Sequence, residues 1–136
     1  MTVIRRGVLR HLRRSRAGAI AVEFALVVPV LATAVGGAAH YGTYYYTYNI
    51  MLTAARNGAR SMAVGAATQT AAETTAKAAL PKWIPADAFT VNGFDTTVNN
   101  QVWLKIKLDH NKFPVLPLAI FPTPDPIAQV FMLKEG

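Results

Sequence analysis

The chain has 136 residues, with 14 Lys and Arg against 7 Asp and Glu, a formal charge of +7, and no cysteine. That length holds one small domain plus a membrane segment, and the missing cysteines exclude disulfides, thiolate catalysis and zinc sites built on Cys. The charge is uneven: Arg5, Arg6, Arg10, Arg13, Arg14 and Arg16 give residues 1–16 a balance of +6, whereas residues 17–136 stand at +1. A basic tail beside an apolar run is a topology signal, because Lys and Arg are retained on the cytoplasmic side. A nucleic-acid partner is not expected, since the rest of the chain is nearly neutral.

From Ala17 to Ala39 the only charged side chain is Glu23. These 23 residues make about 35 Å of helix, against about 30 Å of bilayer hydrocarbon, so a transmembrane helix is expected over 19–42 with the lipid bilayer as its surroundings. Pro29 removes one helical hydrogen bond inside it, which membrane helices tolerate. Gly36, Gly37 and Gly42 loosen its far end or permit close helix packing. The rival is a cleavable signal peptide, with Ala32-Thr33-Ala34 or Gly37-Ala38-Ala39 as the small-x-small site. Its apolar core is usually only about 7–15 residues, and here the run is longer and contains Glu23 and Pro29. Arg13-Arg14 is a weak match to a twin-arginine signal. A carboxylate deep in a bilayer costs about 2.5–3.5 kcal/mol, so Glu23 either snorkels to the near interface or has a partner.

Residues 18–24 read G-A-I-A-V-E-F. With the basic stretch before them, they resemble the processing site of type IVb (Flp) prepilins and of their TadE-like minor pseudopilin relatives. The resemblance implies that a prepilin peptidase cuts between Gly18 and Ala19, that Glu23 becomes the fifth mature residue, and that Phe24 completes the motif. Ala19 and Glu23 are about 6 Å apart along one helix, too far for a tight contact within one chain. A neighbouring helix shifted along its axis would bring its new amine against this carboxylate and fix the axial register. The resemblance further implies a bacterial inner membrane location and partnership with other pilin or pseudopilin subunits and the inner-membrane Tad assembly proteins. It implies no enzyme activity, no cofactor and no small-molecule substrate. Major Flp pilins are much shorter, so the added domain points to a minor subunit.

All five tyrosines of the chain, Tyr41, Tyr44, Tyr45, Tyr46 and Tyr48, follow the span. Tyrosine favours the membrane–water boundary, so they form an expected outer aromatic belt, with His40 interfacial beside them. Met51, Leu52, Ala55, Ala59, Met62, Ala63 and Ala66 recur at helical steps and predict an amphipathic helix. Arg56 and Arg60 share one of its faces. This stretch also resembles the AAR…AR segment of TadE-like proteins, although a solvated positive stripe explains the two arginines equally well. Gly58 and Gly65 weaken the helix by about 1 kcal/mol each, and a break is expected near Gly65–Thr70. Glu73 and Lys77, four apart, support a further helix up to Leu80, which Pro81 and Pro85 end.

Phe89-Thr90-Val91-Asn92 predicts a short strand, with Asn92-Gly93 as a turn or bulge. Val102 to Leu108 alternates, placing Val102, Leu104, Ile106 and Leu108 on one face and Trp103, Lys105 and Lys107 on the other. Pro114, Pro117, Pro122, Pro124 and Pro126 predict a loop, because proline cannot sit in a central strand. Ile127 to Leu133 is a last strand able to pair with the Val102 strand. No nucleophile elbow, P-loop or H-E-x-x-H motif occurs, and Asp109-His110 is a lone dyad, so no metal or catalytic site is expected.

The expected fold is α+β: a long N-terminal helix, then a small antiparallel sheet of about three strands. The expected divisions are a basic leader at 1–18, the transmembrane helix at 19–42, an extracytoplasmic helix at 43–80 and a β-rich domain at 81–136. Two other functional classes stay open: a single-span anchor of unrelated role, and a secreted binding module released by signal peptidase.

Overall fold

The computed structural model describes residues 16–96, 100–109, 111–112 and 124–135. The chain divides into two units, Met1–Ala39 and His40–Gly136. The leader arginines before Arg16, His110 and Pro114, Pro117 and Pro122 lie outside the described residues.

Helix α1 runs Arg16–Ala63 with Pro29 inside it. Pro29 has no N–H, so the carbonyl four residues before it loses its usual donor; on the other side the Thr33 hydroxyl donates to the Pro29 carbonyl at 2.7 Å. In the first unit the side chains of α1 are exposed from Ala19 to Val35. Ile20, Phe24, Leu26 and Val30 are each about two-thirds exposed. A helix that is apolar all round has no solvated face to offer water. Among the described residues it is the one helix long and apolar enough to cross a membrane.

The second unit begins at His40 and contains the rest of α1. Its expected apolar face is the one buried: Met51, Ala55 and Ala59 are fully covered and Met62 and Ala63 nearly so. Ala66 lies past the helix end and is exposed. Helix α1 ends at Ala63 because Gly65 takes a left-handed conformation, φ 68°, where a side chain costs about 1–2 kcal/mol. Its amide donates to the Met62 carbonyl at 3.0 Å, and the Ala67 amide reaches back to Ser61 at 3.0 Å. Helix α2, Gln69–Ala78, starts where the Thr68 hydroxyl oxygen accepts from the Ala71 amide at 3.3 Å. The break thus falls where the sequence places it, with α2 closing two residues before Leu80.

A single 3₁₀ turn at Ala86–Ala88 leads into strand β1, Phe89–Thr96. Strands β2, Gln101–Leu108, and β3, Ile127–Leu133, complete an antiparallel sheet in the order β1-β2-β3. β2 alternates as its sequence predicts, with Val102, Leu104, Ile106 and Leu108 fully buried. β3 pairs with it over its full length, from Gln101 opposite Leu133 to Lys107 opposite Ile127. The fold is α+β, and its core lies where the second half of α1 and α2 cover the inner face of the sheet.

β1 is longer than its sequence suggests. Gly93 is not a turn but a strand residue opposite Leu104. Its amide points off the sheet edge and donates to Glu73 Oε1 on α2 at 2.7 Å, while the Gln69 side chain donates to the same oxygen at 3.2 Å. A Cβ on Gly93 would stand 3.3 Å from that oxygen and 3.1 Å from Gln69 Cγ, so a larger residue would require these two side chains to shift by a few tenths of an ångström. Glu73 therefore serves the strand edge rather than Lys77, with which it makes no ion pair among the described residues. Glu73→Ala should cost about 1–3 kcal/mol, because it leaves a partly buried amide without its acceptor. Glu73→Gln, which keeps an acceptor oxygen, should lose less. Denaturant unfolding of the chain in micelles and hydrogen exchange at the Gly93 amide measure both.

The loop before β3 is pinned by Lys107 Nζ to Asp125 Oδ2 at 2.9 Å. The hydrogen bond to Asp125, and secondarily its charge, hold the Lys107 ammonium above its ordinary pKa. Its small contribution is therefore complete below the ordinary lysine range and is lost only as pH rises through the raised value. A second pair, Lys134 Nζ to Asp95 Oδ2 at 2.8 Å, ties the segment after β3 to β1.

Candidate functional site

The residues singled out at the N-terminal end of the chain fall on one continuous stretch of α1. Gly18, Ala19, Glu23 and Phe24 occupy its first turns, and no loop interrupts them. Helical geometry places Glu23 one turn beyond Ala19, about 6 Å along the axis. Glu23 is exposed, and Phe24 beside it is 68 % exposed. Among the described residues no other element of its unit covers this carboxylate, which stands on an exposed apolar helix. Arg16 opens the helix, while the other five leader arginines lie outside the described residues.

The tyrosines separate by face in the second unit. Tyr41, Tyr45 and Tyr46 are exposed, whereas Tyr44 and Tyr48 are half-buried and Tyr48 packs against the core. Tyr44 and Tyr45 meet edge-on, ring centres 5.7 Å apart. Burial, and then the neighbouring Tyr45 and Tyr48, raise the Tyr44 phenol above its ordinary pKa. So the cluster presents one tyrosine face outward and ties another to the domain. His40 is covered by the protein itself. It is 1 % exposed, with its ring edge-on to Tyr41 at 5.5 Å. Arg56 and Arg60 are both exposed on α1.

Among the described residues no group of three or more His, Asp and Glu gathers to hold a metal ion. Asp109 accepts the Asn111 amide at 3.0 Å in a local turn, a structural use of that carboxylate.

One surface escaped the sequence reading. On the outer face of the sheet Phe94 is opposite Trp103, and Trp103 is opposite Phe131. The Phe94 and Trp103 rings stack at 5.5 Å and 19°. Phe131 and Leu133 remain 60 % and 67 % exposed. Alternation along β2 already put Trp103 outward; the row appears only once register places two phenylalanines beside it. Together these side chains make an exposed apolar row on this face.

No curated protein and no solved structure matches this chain. A family model does match, over residues 18–60, and its description is TadE-like protein. The match begins at Gly18, takes in Glu23 and Phe24, passes through the tyrosine cluster and ends at Arg60. The chain thus carries a TadE-like segment that starts at the glycine of the G-A-I-A-V-E-F motif and extends into the helix that packs on the sheet.

Proposed function

We propose that this chain is a minor pseudopilin-type subunit used in assembling a Flp/Tad pilus. The reading rests on one observation above the others. The TadE-like match starts at Gly18, and Glu23 and Phe24 follow it on a stretch of helix, Ala19 to Val35, whose apolar side chains are exposed. A bare apolar helix needs lipid or other helices around it, and a carboxylate there needs a counter-charge. Membership of a bilayer-held assembly supplies both. The exposed strip of Phe94, Trp103 and Phe131 gives the domain a further face for neighbouring subunits. Proteins of this family are structural rather than catalytic, and the role proposed needs no cofactor.

In this reading a prepilin peptidase cuts between Gly18 and Ala19. Residues 19–42 stay in the bacterial inner membrane, with the arginine-rich end in the cytoplasm. Residues 43–136 lie in the periplasm, where the domain meets the fibre or its assembly platform. Mass spectrometry of the mature chain should find Ala19 at its N-terminus, and Gly18→Leu should leave a precursor 18 residues longer. A reporter that works only outside the cytoplasm should be active when fused after Gly136. A mature chain beginning at Met1 or Thr2 would instead identify an unprocessed anchor, and one beginning within residues 35–40 a secreted module.

A further inference from the structure

We propose that the hollow between the end of α2 and the start of β1 binds a small amphiphilic anion, an acyl or aryl carboxylate. It encloses about 330 Å³, near the lower end of the range for small-molecule pockets. Its floor is core: Leu80, Ile84 and Phe89, between 3 % and 7 % exposed. Two prolines, Pro81 and Pro85, brace the segment that forms its wall, and fixed φ angles keep such a wall from collapsing into the space.

The charge at the mouth selects the ligand. Lys77 and Lys82 both line the hollow and both are exposed, and no Asp or Glu lines it. Among the described residues neither lysine pairs with a carboxylate. The carbonyl end of α2 disfavours an anion nearby. Lys77 stands in that last turn and offsets it, which leaves the Lys82 ammonium as the surplus charge. An apolar body therefore sits on Leu80, Ile84 and Phe89, and a carboxylate meets the ammonium groups at the rim. Lysine is a point charge without the planar fork of arginine, so the site distinguishes charge and size more than head-group shape.

This inference is independent of the pilus reading, since it concerns a hollow within the second unit alone. The test is titration of octanoate into the full-length chain in non-ionic micelles, followed by amide NMR shifts at Lys82, Ile84 and Phe89, with octanol as the neutral control. Saturable shifts are expected, with a dissociation constant of about 1 mM or tighter. Lys77→Gln with Lys82→Gln should weaken binding by roughly tenfold or more. Both positions are exposed, so this variant keeps its fold, which the unchanged shifts of β2 verify. Octanol binding as well as octanoate, undiminished octanoate binding in the double variant, or the absence of saturation would each overturn the proposal.

Discussion

Glu23→Gln should insert in the membrane and be cut after Gly18 as the native chain is, yet fail to co-purify with pilus subunits. Glutamine keeps the size and polarity of the side chain and removes only its charge. Insertion becomes easier, because a centrally placed carboxylate costs about 2.5–3.5 kcal/mol. A residue serving insertion would thus be improved by the change. If instead the Ala19 amine of a neighbouring subunit sits against this carboxylate, the variant strands that amine in a low dielectric. Breaking a buried pair in this way costs about 3–5 kcal/mol, or two orders of magnitude or more in association. Glu23→Asp should recover part of the yield, since the charge remains but reaches less far. Quantitative pull-down of the processed chain with its pilus partners decides the matter. Native yield from Glu23→Gln would return the residue to snorkelling at the interface, and loss of processing would assign it to peptidase recognition.

What could be read from the sequence was whatever repeats locally. β2 announces itself by alternation, because one of its faces is buried and the other is not. β3 is legible as a short, mostly apolar run after the prolines, and the Met51–Ala63 face of α1 from its helical period. The motif at Gly18–Phe24 is a local string and could be found without a fold; the structure adds the helix beneath it. The misreadings all involve residues whose role is set by something distant in sequence. Glu73 pairs by spacing with Lys77 but is taken by an amide twenty residues on. Asn92-Gly93 carries turn chemistry, yet the sheet keeps it because α2 must pass close by.

Gly58 is the most consequential of these distant effects, and enlarging it should destabilise the second unit. By propensity alone it weakens α1, and Gly58→Ala should gain about 1 kcal/mol. The structure reverses that sign. A Cβ at Gly58 would lie 2.7 Å from Leu104 Cδ1, 3.5 Å from the Ala72 carbonyl oxygen and 3.7 Å from Ala76 Cβ. The residue is thus the point where α1 touches β2 and α2 together. Leu104 is completely buried, so its methyl group has no solvent to retreat into, and overpacking costs about 1–3 kcal/mol. Gly58→Ala should therefore be destabilising by a net of about 1 kcal/mol, despite the better helix former. Gly58→Val adds two more carbons against the same wall and should cost about 3 kcal/mol, a large share of the stability of a domain of this size. A double-mutant cycle separates clash from propensity. Leu104→Ala alone should cost about 2–5 kcal/mol, but it removes the clashing methyl. On that background Gly58→Ala should become neutral or stabilising, a coupling of about 1–2 kcal/mol. Denaturant midpoints of the four chains in micelles supply the cycle. Strict additivity would mean that α1 and β2 do not meet at this glycine, and that its cost lies in the helix alone.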